Sequence, residues 1–217
     1  MQQTPIRVTG RLDEPLSRWL WLIKWITIIP HLIVLWFLFV GFAVVWVIAL
    51  FAILFTGSYP RALFDYTVGV LRWSWRVAFY SYSALGTDRY PPFTLKDVPD
   101  YPARLEVERP ERLSRGLVLV KWWLPALPQY AIVGVLAGAW NAEYSYPGLI
   151  ALLVFFSAVL LLFRGSYPAQ TFGLIVGLNR WVLRVVVYAS LLRDEYPPLR
   201  LDAGEAEPAP DAQAGQA

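Results

Sequence analysis

Four arginines stand in two pairs, Arg72 with Arg76 and Arg180 with Arg184, each pair spaced by four residues. On a helix that spacing turns both guanidinium groups to one side, where their planar forks suit the bidentate binding of phosphate oxygens. At the edge of a bilayer such a pair either holds lipid phosphates or snorkels toward water, and both readings stay open. Other chemistry-bearing residues are sparse. His31 is the only histidine, follows Pro30 and has no companion at metal-ligand spacing, so it reads as a polar side chain near a helix kink. Its later counterpart is Gln129 after Pro128, which favours hydrogen bonding over coordination. Asp65 invites a proton-relay role, but Arg61 four residues earlier supplies an ordinary helix-surface pair. Ser58 and Ser166 have no evident base beside them and read as turn or cap residues. No catalytic set, metal or cofactor is expected, and the lack of cysteine excludes thiolates and disulfides.

The elements that must position these residues follow from composition. With 57% hydrophobic and 16% charged residues in a chain of 217, there is too little polar surface to cover a water-soluble globule. Eleven Trp and twelve Tyr read as anchors at the headgroup level. The first 17 residues do not form a secretory signal, so the N-terminus is expected to be retained. The last residues, AGEAEPAPDAQAGQA from 203 to 217, are acidic, rich in Pro and Ala, and expected to be disordered.

Four blocks recur in the same order. LSRWLWLIKW (Leu16 to Trp25) returns as LSRGLVLVKW (Leu113 to Trp122), and FTGSYP (Phe55 to Pro60) as FRGSYP (Phe163 to Pro168). VLRWSWRVAFY (Val70 to Tyr80) returns as GLNRWVLRVVVY (Gly177 to Tyr188), and TDRYPPF (Thr87 to Phe93) as RDEYPPL (Arg193 to Leu199). The chain therefore reads as two homologous units, 1–96 and 97–202, ahead of the tail. The combination of YPARLEVERPERLSR, KW followed by a proline, GSYP and an EYPP ending resembles a bacterial membrane family, domain-of-unknown-function family 4389, here in tandem. The resemblance covers all but the tail and implies no activity, substrate or catalytic residue. The first unit departs from it where IRVTGRLDEP replaces RLEVERPE.

In the second unit, apolar residues from Gly116 to Trp140 and from Gly148 to Phe163 flank NAEYSYP and read as a transmembrane helical hairpin. The first unit's run from Trp19 to Phe55 would be about 55 Å long as one helix, so a tight turn is placed near Val40 and Gly41, with re-entrant insertion as the alternative. After each GSYP comes an amphipathic helix: Arg61, Asp65, Arg72 and Arg76 fall within about 60° of one another, as an interfacial helix requires. The fold class is thus an all-α integral membrane protein, two hairpins each followed by an interfacial helix. IRVTG, ARLEV, FTL and LRL suggest short β arms on the cytoplasmic face. Four crossings put all 19 Lys and Arg on one side, with both termini cytoplasmic and Asn141 to Tyr146 outside; six crossings would send the basic linker from Arg89 to Arg115 outward.

GSYP is then a structural elbow. Gly57 and Gly165 end a helix, Pro60 and Pro168 open the next, and Tyr59 and Tyr167 anchor the bend at headgroup depth. The leading expectation is a non-enzymatic protein of the bacterial cytoplasmic membrane whose basic platform binds anionic lipids or a partner membrane protein. A small transporter or channel built from two parallel repeats is the alternative, and a lipid-modifying enzyme a weaker third. Nucleic acid is not an expected partner, because membrane orientation accounts for the positive charge.

Overall fold

The computed structural model describes residues 5–140 and 145–205. Strand β1 (Ile6–Gly10) leads through a 3-10 turn (Leu20–Leu22) and a single helical turn, α1 (Lys24–Thr27), into α2 (Ile29–Thr56). Helix α3 (Arg61–Tyr80) follows, then β2 (Ala103–Val107), the short α4 (Leu117–Val120) and α5 (Leu127–Ala137). Strands β3 (Gly138–Trp140) and β4 (Ser145–Pro147) precede α6 (Leu149–Arg164) and α7 (Ala169–Ala189).

The all-α expectation is corrected by two antiparallel pairings, β1 with β2 and β3 with β4. In the first, Val8 faces Leu105 at the centre, and the alternation of small or apolar with polar residues buries Val8, Gly10, Ala103 and Leu105 on one face. FTL and LRL carry no ladder and run as straps held by side chains. The expected disorder of the tail lies outside the described residues from 206 onward. Its beginning is ordered, with the Gly10 amide donating to the Glu205 carbonyl at 2.9 Å.

The first hairpin does not exist. Helix α2 runs unbroken through Val40 and Gly41 for 28 residues, about 42 Å. Gly41 is instead a point of close approach, since a Cβ there would lie 2.5 Å from the Tyr66 hydroxyl of α3, which donates to the Leu38 carbonyl. In the second half, two shorter helices joined through the β3–β4 pair stand where α2 stands in the first, one residue shorter in combined length. Residues 141–144 of the proposed outside loop lie beyond description.

Nor are α3 and α7 interfacial. They form the centre of the molecule, with 12 residues of each buried and the rings of Phe79 and Phe172 meeting edge to face at 6.0 Å. The arginines of their charged stripes at 72, 76, 180 and 184 are covered by the straps and the β1–β2 pair, which periodicity within one helix cannot reveal, while Arg61 and Asp65 at the start of α3 stay exposed. Among the described residues two helices are long and apolar enough to cross a membrane, α2 and α7, and the expected count of four is not met. They differ sharply: only 11% of the apolar window of α2 is buried, against 61% for α7.

The two elbows share one geometry. Gly57 and Gly165 cap α2 and α6 in the left-handed region, φ 72° and 74°, and their amides donate to the Ile53 and Leu161 carbonyls. Pro60 and Pro168 sit immediately before the next helix and accept from the amides of Phe64 and Phe172 at 2.9 Å. Tyr59 and Tyr167 do not reach outward as anchors. Both are buried, stacked edge to face on Phe64 and Phe172 at 5.7 Å, because the turn folds each ring beneath its own helix.

Candidate functional site

The sequence GVLRWSWR, Gly69 to Arg76, returns as GLNRWVLR, Gly177 to Arg184, and both copies do the same work. Each glycine lets a strap cross its helix closely: a Cβ on Gly69 would lie 2.8 Å from the Leu95 Cβ, and one on Gly177 2.8 Å from the Asp202 carbonyl oxygen. The arginines three and seven residues on then hold that strap. Arg76 donates to the carbonyls of Lys96 and Thr94, and Arg180 to those of Asp202 and Gly204. Arg184 pairs with the Asp202 carboxylate at 2.8 Å, and Arg72 reaches the Leu95 carbonyl at 3.3 Å.

One bond from each motif crosses to the other half's strand. Arg72 Nε donates to the Leu105 carbonyl of β2 at 3.1 Å, and Arg180 Nε to the Val8 carbonyl of β1 at 3.0 Å. These two carbonyls belong to the central facing pair of the ladder, and a buried carbonyl without a donor is destabilising. The strand that precedes each half thus rests on the other half's long helix. Arg76, Arg180 and Arg184 are consequently buried, and Arg72 is largely so. Their guanidinium groups are engaged inside the protein, by its own carbonyls and, for Arg184, by the Asp202 carboxylate, rather than turned outward as the lipid-phosphate expectation for the four has them.

A second arrangement found in both halves is not among the residues singled out by the sequence. Lys24 is buried with Nζ donating to the Thr87 carbonyl at 2.7 Å and pairing with Asp88 at 2.9 Å; Lys121 does so with the Arg193 carbonyl at 3.1 Å and Asp194 at 2.7 Å. The other carboxylate oxygen accepts from the Ser17 amide in the first half and the Ser114 amide in the second, at 2.5 and 2.6 Å. Each ammonium also lies over a tyrosine ring, Tyr80 or Tyr188. Burial pushes both lysines below the ordinary ammonium range, and the neighbouring carboxylates counter it in part. The available signal was a lysine at the same place in both apolar LSR blocks, with an aspartate in both TD/RD blocks. Both ammonium groups are shielded from solvent and locked, which suits a clamp rather than a nucleophile.

His31 lies in the first turn of α2, where Pro30 starts the helix rather than kinking it. Its Nδ1 accepts from the Trp73 indole at 3.1 Å, and its ring stacks on Phe93 at 4.0 Å. Gln129 occupies the same place in the second half, accepting from the Trp181 indole at 2.8 Å and donating to the Pro197 carbonyl at 2.9 Å. Arg61 and Asp65 form an exposed pair at 3.9 Å, and the Ser58 hydroxyl bonds with that of Thr56 at 3.1 Å. Among the described residues no cluster of His, Cys, Asp or Glu has the makings of a metal site. A cavity of about 250 Å³ lies between α3 and α7, lined by Ser74, Trp75, Ala78, Ile150, Asn179 and Val182.

The sequence profile of a family described as a domain of unknown function, DUF4389, matches residues 8–94 and 142–199. The chain belongs to the DUF4389 family. The first matched segment of this DUF4389 protein runs from β1 to the strap after α3; the second begins between β3 and β4 and ends at the second strap, leaving out α4 and α5. No curated protein and no solved structure matches the chain.

Proposed function

We propose that this DUF4389 protein is a non-catalytic, multi-pass protein of the bacterial cytoplasmic membrane that acts by holding anionic lipids or a partner membrane protein. The observation that carries the reading is α2: 28 residues without a formal charge, few of which are buried by the rest of the chain. Trp36, Phe37, Phe51 and Phe55 point outward from it. An apolar face of that length calls for hydrocarbon as its solvent. We further infer that the two halves are copies of one unit, supported by the paired Lys–Asp clamps, arginine motifs and elbows. Both ends of the described chain lie on one side in this reading, since the Gly10 amide donates to the Glu205 carbonyl at 2.9 Å, and we assign that side to the cytoplasm. Carbonate washing of membranes from expressing bacteria tests the proposal: the protein is expected to stay in the pellet, and release into the wash would overturn it. The cavity between α3 and α7 favours a second reading, a small conduit between the halves. Flux through reconstituted vesicles that is lost on Asn179→Leu would replace the first reading with the second.

A further inference from the structure

With the four stripe arginines committed inward, the question of which cations meet the headgroups is reopened, and the elbows answer it. Arg18 and Arg115 occupy equivalent places in the two LSR blocks, and each crosses to the elbow of the opposite half. A Cβ on Gly57 would lie 3.3 Å from Arg115 Nε, and one on Gly165 would collide with the Arg18 guanidinium. The crossing is fixed by backbone as well, since the Leu113 amide donates to the Gly57 carbonyl at 2.8 Å. Each guanidinium therefore lies against bare left-handed backbone at the C-terminal end of an apolar helix. Arg164, in the last turn of α6, adds a second exposed cation at the later elbow, where the first half has Thr56.

Three observations single these residues out. Among the described residues none of Arg18, Arg115 and Arg164 has a carboxylate within ion-pair reach, whereas Arg104, Arg184, Arg193, Lys24 and Lys121 do. All three are exposed. Each elbow begins at a phenylalanine, and among the described residues Phe55 and Phe163 are the most exposed large apolar side chains, 72% and 78%. The apolar surface thus runs to the elbow, where a guanidinium from the other half stands against the glycine two residues on, which is the polarity change found at headgroup depth.

We propose that each elbow holds the phosphate of an anionic phospholipid, with Arg115 at Gly57 as one site and Arg18 with Arg164 at Gly165 as the other. The inference rests on the membrane reading above and names the lipid-binding groups of that reading. The guanidinium fork donates two parallel hydrogen bonds to phosphate oxygens while the acyl chains lie along α2 or α6. With two cations against one, the second elbow is the tighter site.

The test uses the full chain reconstituted in nanodiscs of phosphatidylcholine with phosphatidylglycerol, the bound lipid being counted by native mass spectrometry. Arg18→Gln and Arg115→Gln are each expected to weaken phosphatidylglycerol retention at one site about fivefold, as one interfacial cation contributes. Arg164→Gln, a change at an exposed position, is expected to do the same at the second elbow, and Arg11→Gln to change nothing. Retention unaltered in all three elbow variants, or lowered equally by Arg11→Gln, would overturn the assignment. Displacement of the lipid by millimolar inorganic phosphate would overturn a lipid source in favour of the free anion. Failure of the unaltered chain to enter nanodiscs would instead overturn the membrane reading itself.

Discussion

The two halves of this chain make matching interior contacts from matching positions and differ in what they show to the outside. Inside, Lys24 and Lys121, Arg72 and Arg180, and His31 and Gln129 occupy matching places. Outside, the first half presents one long helix, α2, and the second presents α5 and α6 separated by the β3–β4 pair. A ten-residue difference in length between His31–Gly57 and Gln129–Gly165 is absorbed where few interior contacts exist to resist it. The contrast teaches that buried polar clamps set the register of this fold, while the outward-facing apolar elements are free to vary.

The strongest way to break that comparison is to remove an interior arginine from each half. Arg180 is fully buried and serves the carbonyls of Val8, Asp202 and Gly204, so Arg180→Ala leaves three acceptors without a donor and is expected to lose about 3 kcal/mol or more of stability. Arg72 is partly exposed and holds the Leu105 and Leu95 carbonyls, so Arg72→Ala is expected to lose about 1–2 kcal/mol. Unfolding midpoints in detergent micelles check the order, and equal losses would show that the halves are interchangeable at this site.

The elbows give the next largest difference. Alanine at a left-handed glycine costs about 1 kcal/mol or somewhat more from the backbone alone. Gly57→Ala should show that loss and little else, because the nearest atom to the added Cβ stands at 3.3 Å on a flexible side chain. Gly165→Ala should lose more and also displace Arg18. A smaller loss at Gly165 than at Gly57 would contradict the exchange of arginines between elbows.

A gentler probe converts one half into the other. His31→Gln supplies the acceptor that Gln129 supplies to its tryptophan, so a change within about 1 kcal/mol is expected. His31→Leu, which leaves the Trp73 N–H unpaired, should lose about 1–3 kcal/mol. Tryptophan fluorescence during unfolding reports both, and equal losses for Gln and Leu would remove the indole bond from the account.

The smallest effect is one of pH. Arg193 holds the Glu195 carboxyl below its usual range through a two-pronged hydrogen bond. Asp97 also lies low: desolvation pushes it up, but the hydrogen bond and charge of Arg104, with the charge of Arg72, outweigh that. Both carboxylates bind protons less readily in the fold than in the unfolded chain. Their stabilisation is therefore present above the ordinary carboxylate pKa and is lost as pH falls through the lower folded values. Partial exposure keeps the effect modest. A titration of the unfolding midpoint below pH 5 should show the fall, and Glu195→Gln should flatten part of it.

Particular residues mark how far the sequence could be read. Gly57, Pro60, Gly165 and Pro168 were legible because a left-handed cap and a helix start are decided by the residues themselves. The left-handed φ at Gly57 and Gly165 and the helices beginning just after the prolines are the local geometry those residues specify. Gly41 was misread, since glycine in an apolar run signals either a turn or a close approach, and Tyr66, which decides between them, comes from another helix. Tyr59 and Tyr167 were placed outside because tyrosine suits a membrane surface as readily as a core. The Lys–Asp clamps were visible as repeated letters, but the partners stand more than 60 residues apart in sequence.

By itself the sequence determined the apolar character of the chain, the recurrence of its blocks and the ends of its helices at the two elbows. Composition fixes the first, the order of residues the second, and local backbone sterics the third. Only the tertiary structure decided which way the arginines face. A polar stripe on a helix calls for partners without naming them, and here those partners are carbonyls of a strap about 20 residues onward and of the strand that precedes the other half. Covering the stripe in that way buries the cations the spacing had offered to lipid and leaves Arg18, Arg115 and Arg164 at the surface.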